Sequence, residues 1–265
     1  MRQPSLFVPH GGGPCFFLEP DGSCPPMWRS MRDHLGAIVS ALPERPRAIL
    51  VISGHWEETR FTVHTGTKPD LLFDYSGFPP HTYRLRWDAP GAPDVARAAA
   101  ARLAAAGFAT AEEEARGWDH GVFIPLKVML PGADIPVTQL SLRRDLDPVD
   151  HIRAGAALAP LRDDGVLIVG SGMSFHNMRT IGQPVEAQAD AFDNALAAAA
   201  TDPDPDRRRA RIADWRTLPQ ARFAHPREEH LLPLMVALGA GGDDPAVHLF
   251  RDHVIGWTVS AFRFG

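Results

Sequence analysis

Thiols are scarce in this chain. Cys15 and Cys24, both in one loop, are the only cysteines among 265 residues. A disulfide between them is geometrically possible, but so few cysteines at this length point to a reducing compartment. No Cys-x-x-Cys pair occurs, which argues against a thiolate zinc site. Nor is there a run of about 18 apolar residues, or a basic N-terminal segment followed by an apolar one, so neither a membrane helix nor a secretory signal is expected. The chain reads as soluble and cytoplasmic. A formal net charge of -5 gives no electrostatic reason to expect nucleic acid or an anionic membrane as partner. The one basic knot, Asp206-Arg207-Arg208-Arg209-Ala210-Arg211, reads as a solvated helix face.

Other absences narrow the chemistry. Gly11-Gly12-Gly13 is followed by no Lys-Ser/Thr pair, which excludes a P-loop. Ser171-Gly172 lacks the Gly-x-Ser-x-Gly frame of a nucleophile elbow. No Ser/Gly linker or charge run divides the chain. A hydrophobic content of 45% is ample for a substantial core, so residues 1–265 are expected to form a single catalytic domain.

Short apolar runs predict strands at 5–8, 48–53, 61–64, 136–142, 166–170, 247–250 and 257–262. Helical periodicity predicts helices over 27–42, 94–106, 122–130, 149–161, 187–200 and 228–238. This alternation predicts an α/β fold, a three-layer α/β/α sandwich around a mixed, mostly parallel central sheet. The Pro- and Gly-rich stretch 66–92 reads as a long ordered excursion of the kind that often walls an active site.

Four histidines in glycine-marked turns stand out: His10, His55, His176 and His230. The first three each lie just past a predicted strand. Carboxyl ends of parallel strands converge on one crevice, so imidazoles delivered there from distant parts of the chain suggest a divalent metal site. His230 is placed in the first turn of the 228–238 helix, with Glu228 and Glu229 as ordinary first-turn acids. Asp119 is a candidate helix cap, and His120 beside it a candidate for proton transfer or packing. His34, His64, His81, His151, His248 and His253 are assigned to surface or core.

At these motifs the chain resembles the DOPA-type extradiol aromatic ring-opening dioxygenases, relatives of the catalytic subunit of protocatechuate 4,5-dioxygenase. The resemblance lies in Phe7-Val8-Pro9-His10-Gly11, Ser53-Gly54-His55-Trp56-Glu57, Arg116-Gly117-Trp118-Asp119-His120-Gly121 and His176-Asn177, with 73–79, 135–141, 171–172 and 225–234. These stretches occur in family order across nearly the whole chain. The resemblance implies that His10, His55 and His230 hold the metal. It also implies His176 as the acid/base or a fourth ligand in a resting site, with His120 lining the pocket. The metal would be Fe(II) for ring cleavage, or Zn(II) as bound; the partners would be a small catechol and O2. Two positions depart from the family pattern. His10-Gly11-Gly12-Gly13-Pro14 replaces His-Gly-Ser-Pro, and Met173 stands where asparagine is usual; both bear on the substrate more than on the metal. The rival readings are a zinc-dependent hydrolase on the same histidines and a non-enzymatic binding protein that retains the fold.

Overall fold

The computed structural model describes residues 1–265. Eight strands form one sheet: β1 (Ser5–Pro9), β2 (Ala48–Glu58), β3 (Phe61–His64), β4 (Thr110–Glu113), β5 (Val137–Arg143), β6 (Val166–Gly172), β7 (Ala246–Val254) and β8 (Trp257–Phe264). Their order is β4-β3-β5-β2-β6-β1-β8-β7. The middle of the sheet is parallel, with β6 hydrogen-bonded between β2 and β1 and β2 in turn paired with β5. Antiparallel pairs, β1 with β8, β8 with β7 and β3 with β5, make it mixed. The central strands are buried on both faces, and their continuous apolar runs follow from that.

The helices are α1 (Arg29–Ile38), α2 (Pro93–Ala105), α3 (His120–Met129), α4 (Pro148–Leu158), α5 (Pro160–Asp163), α6 (Glu186–Ala200), α7 (Pro205–Ala213), α8 (Ala221–Ala224) and α9 (Leu232–Gly241). Helix α9 is buried along its whole length, between α4 and strands β1, β2 and β6; α3 covers β2 and β6, with α1 against it. Alternation along β6 places α3 and α9 on opposite faces. The hydroxyl of Ser171 donates to the carbonyl of Gly121 in α3, whereas side chains at Gly170 and Gly172 would run into Pro233 and His230 at the head of α9. The architecture is the expected sandwich.

Several local expectations are corrected. β2 does not stop before His55 but runs to Glu58, with its pairing to β5 out of register between Ile52 and Glu57. The 228–238 helix starts later, at Leu232, because Pro233 fits only the first turn of a helix; His230 therefore sits in the turn before it. Strand β4 went unseen, since an acidic edge strand of four residues carries no apolar alternation. Cys15 and Cys24 are buried free thiols. Within the basic knot Arg208 is buried, its guanidinium donating to the carbonyls of Asp202, Gly242 and Asp244. The others do line a charged surface, where Arg209 pairs with Asp206 and Asp243.

Candidate active site

Three adjacent parallel strands carry the site. The chain leaving β1 enters the Gly11-Gly12-Gly13 turn with the His10 amide bonded to the carbonyl of Gly172, which ties it to the end of β6. The disrupted stretch of β2 aims His55 at the same crevice, as bulges beside active sites commonly do. The His230 turn lies across both strands at glycines. A Cβ on Gly172 would stand 2.1 Å from the His230 carbonyl oxygen, and one on Gly54 3.1 Å from that of Glu229. That carbonyl of His230 accepts from the Met173 amide at 2.9 Å. These glycines thus let a distant turn seat directly on the sheet edge. Gly172→Ala is expected to cost about 1–3 kcal/mol in urea unfolding by lifting the His230 turn off the sheet edge; an unchanged urea midpoint would contradict this placement.

The rings of His10, His55 and His230 lie with centroids 4.8–5.2 Å apart. One ring nitrogen from each falls within 4.8 Å of the others. His10 Nδ1 donates to the Gly11 carbonyl at 2.8 Å, leaving Nε2 buried with no partner. His230 Nδ1 donates to Glu229 Oε1 at 2.9 Å, so its Nε2 presents a lone pair, 3.2 Å from His55 Nε2. Two imidazole nitrogens at that distance must share either a proton or a cation. Nitrogens bound at about 2.0–2.1 Å to a tetrahedral ion stand roughly 3.3 Å apart. A divalent cation would satisfy all three nitrogens, His10 Nε2 included, and the donor set fits one.

Burial, reinforced by the neighbouring imidazoles, holds His10 and His55 well below the usual histidine range. Burial likewise pushes His230 down to about 4, although Glu229 opposes it, and His225 down to about 3. Neutral imidazole is the form that binds a metal. These lowered values mean that the unfolded chain takes up protons near pH 6.5 that the folded chain refuses. Stability of the metal-free protein is therefore fully present above about pH 6.5 and declines as pH falls towards 4. Urea midpoints at pH 7, 5.5 and 4.5 should fall in that order, before most carboxylates titrate.

Two further histidines face the same cavity. The His176 ring stacks on His230 at 3.5 Å, with its Nδ1 3.6 Å from Glu229 Oε1. His120 lies 3.9 Å from His55 between ring centroids, and its Nδ1 and backbone amide both donate to Asp74 Oδ1, at 2.8 and 2.9 Å. All five histidines singled out in the sequence thus meet in one place.

Their carboxylate partners escaped sequence reasoning. Glu229 is no simple helix-dipole acid. Burial opposes its ionisation, but the nearby His176 ring and the hydrogen bond from His230 outweigh that and hold its carboxyl far below the usual range. Glu228 instead pairs with Arg216 and Arg222 on the outside of the turn. Asp74, in the 66–92 excursion, is likewise held low, the bond from His120 overcoming burial. Asp119 occupies the N-cap position of α3 without making a cap hydrogen bond. Its buried carboxylate instead accepts from Ser53 Oγ at 2.7 Å, Arg116 at 3.1 Å and Gln139 at 2.6 Å. Arg116 also donates to the His55 carbonyl, so this network fixes the backbone on either side of His55 and His120. The only signal for Asp74 and Glu229 was their position in motif stretches.

A family model described as the catalytic LigB subunit of aromatic ring-opening dioxygenase matches residues 4–261. The chain belongs to this family. Its relatives include dioxygenase tasH of Hapsidospora irregularis, 36% identical over 99% of this chain and 85% of that protein. The 4,5-DOPA dioxygenase extradiol of Beta vulgaris is 35% identical over 97% of this chain and 93% of its own length. The Escherichia coli protein of that name is 34% identical over 92% and 88%. A crystal structure of an uncharacterized protein from Escherichia coli K12 superposes over the full length of both chains, with a TM-score of 0.80 and 29% identity. As a member of the LigB family the chain is an enzyme of the aromatic ring-opening dioxygenase class. The family is metal-dependent, and the histidine group described above could hold the ion.

Proposed function

We propose that this LigB-family enzyme opens the ring of a catechol beside its diol, with His10, His55 and His230 holding iron(II) through Nε2. His176 is the general acid/base and His120 a substrate-orienting group. The convergence of three ring nitrogens, one of them buried and unpartnered, carries this reading. Two other side-chain groups have metal-like spacing, His55 with Asp74 and His120, and His176 with Glu229 and His230. In each, the carboxylate already accepts a ring N–H, which makes it a support for a histidine rather than a free ligand.

When bound, iron(II) supplies the redox chemistry that dioxygen needs and the positive charge that draws a catecholate. The protein's share follows from its own atoms. Three neutral imidazoles bring no negative charge to compete with the catecholate. Glu229 fixes the tautomer of His230 and engages Nδ1 of His176, leaving His176 Nε2 to take a catechol proton and return it when the ring opens. Asp74 anchors His120 in the same way, so that its Nε2 is available to a substrate oxygen. Both oxygen atoms of O2 end in the product, and no outside reductant is required.

The test is anaerobic loading with Fe(II), addition of catechol, then air. One O2 consumed per ring opened, with a yellow product, is expected, and a zinc-loaded sample should be inert because zinc has no redox chemistry. Absence of oxygen uptake in the iron-loaded enzyme, or an oxygen-independent hydrolysis that persists with zinc, would overturn the proposal.

A further inference from the structure

The cavity in front of the histidines measures about 400 Å³. That falls in the range of about 300–1,000 Å³ that encloses ligands larger than a single ring. Its walls are unusual in what they omit: none of the lining residues is Lys, Arg, Asp or Glu. The polar side chains facing it are the five histidines already assigned to metal binding, proton transfer and substrate orientation, and Tyr75, whose hydroxyl is turned away to donate to the Thr82 carbonyl. The rest of the wall is Leu18, Trp28, Phe78, Met178, Ile181 and Ile255, with the glycine turn and Cys15. The carboxylates bonded to the rings are committed: Asp74 to His120, and Glu229 to His230 and Arg227.

Two details show that this apolar wall is kept at a cost. Met178 and Ile181 are 58% and 49% exposed, so large apolar side chains face water at the cavity. Ile255 forms the tip of the β7–β8 hairpin with Gly256, at φ 50° and 85°. Positive φ at both positions is the pattern of a type I′ turn, which favours Asn-Gly. A β-branched residue is strained there. What Ile255 gives in return is a half-buried apolar side chain on the cavity wall.

We propose that the substrate is a catechol whose ring substituent is uncharged and apolar, an alkyl or terpenoid-like group, and not a carboxylate or an amino acid. The proposal rests on the histidine cluster being the catechol site. A charged substituent entering this cavity would lose water and find no partner, whereas an apolar one would cover Met178, Ile181 and Ile255.

Zinc-loaded protein, which binds without turning over, allows affinities to be read by calorimetry for catechol, 4-propylcatechol, 3,4-dihydroxybenzoate and DOPA. We expect 4-propylcatechol to bind at least about 100-fold tighter than either charged compound, with the same order in kcat/KM for the iron form. Ile181→Arg, at an exposed position, should narrow that gap at least about tenfold by supplying the missing cation. Ile255→Asn should weaken 4-propylcatechol about tenfold and not lower Tm. Comparable binding of 3,4-dihydroxybenzoate or DOPA, or an Ile181→Arg preference identical to the parent's, would overturn the proposal. Catechol carries no substituent, so its failure to bind or be opened would count against the assigned function itself.

Discussion

His55→Ala is expected to leave a folded protein that no longer retains iron and turns over at least about a thousandfold more slowly. The scale is that of losing several kcal/mol of charge stabilisation from a metal. His55 is the middle member of the cluster, its ring 4.9 Å from His10, 4.8 Å from His230 and 3.9 Å from His120. Removing it leaves two of the three proposed ligands, His10 and His230, whose rings are held by a backbone carbonyl and by Glu229 and cannot close the gap. The ring is partly exposed and its one close polar contact is with another histidine of the cluster, His230, so the fold should survive. Metal analysis after desalting, beside thermal unfolding, separates the two effects. A variant that keeps one iron per chain would remove His55 from the ligand set.

His176→Ala should behave differently, keeping its iron and losing about 10²- to 10⁴-fold in kcat, the usual worth of a positioned acid/base. His176 stacks on His230 without a hydrogen bond to it, and Glu229 still holds His230 when the His176 ring is gone. Single-turnover experiments should show catechol binding intact and ring opening slowed. If metal is lost together with turnover, His176 belongs to the ligand shell. If neither changes, the proton is moved by another group, of which His120 is the nearest candidate.

Much of this site was legible because glycine marks where backbone must pass close, and because parallel strands deliver their ends to one edge. His10 and His176 were readable from local sequence alone, each following an apolar run. His55 was readable as a site residue but not as part of a strand, since the disturbed register with β5 leaves no mark in the residues of β2. The turn before α9 was hidden by Glu228 and Glu229, which look like first-turn acids and are used as ion-pair and hydrogen-bond partners. Asp74 fell inside a motif stretch, but its partner could not be read. Its bond to His120 joins residues 46 apart, and only the path of the 66–92 excursion makes them neighbours. Arg208 fails for the opposite reason: charge in the sequence suggests solvent, but three backbone carbonyls at one point can bury a guanidinium.

The most direct test of the central claim is a crystal structure of the iron- or cobalt-loaded protein with anomalous diffraction at the metal edge. One ion is expected within about 2.0–2.3 Å of Nε2 of His10, His55 and His230, with its remaining positions open to the cavity. An ion seated instead between Asp74 and His120, or between Glu229 and His176, would contradict the account.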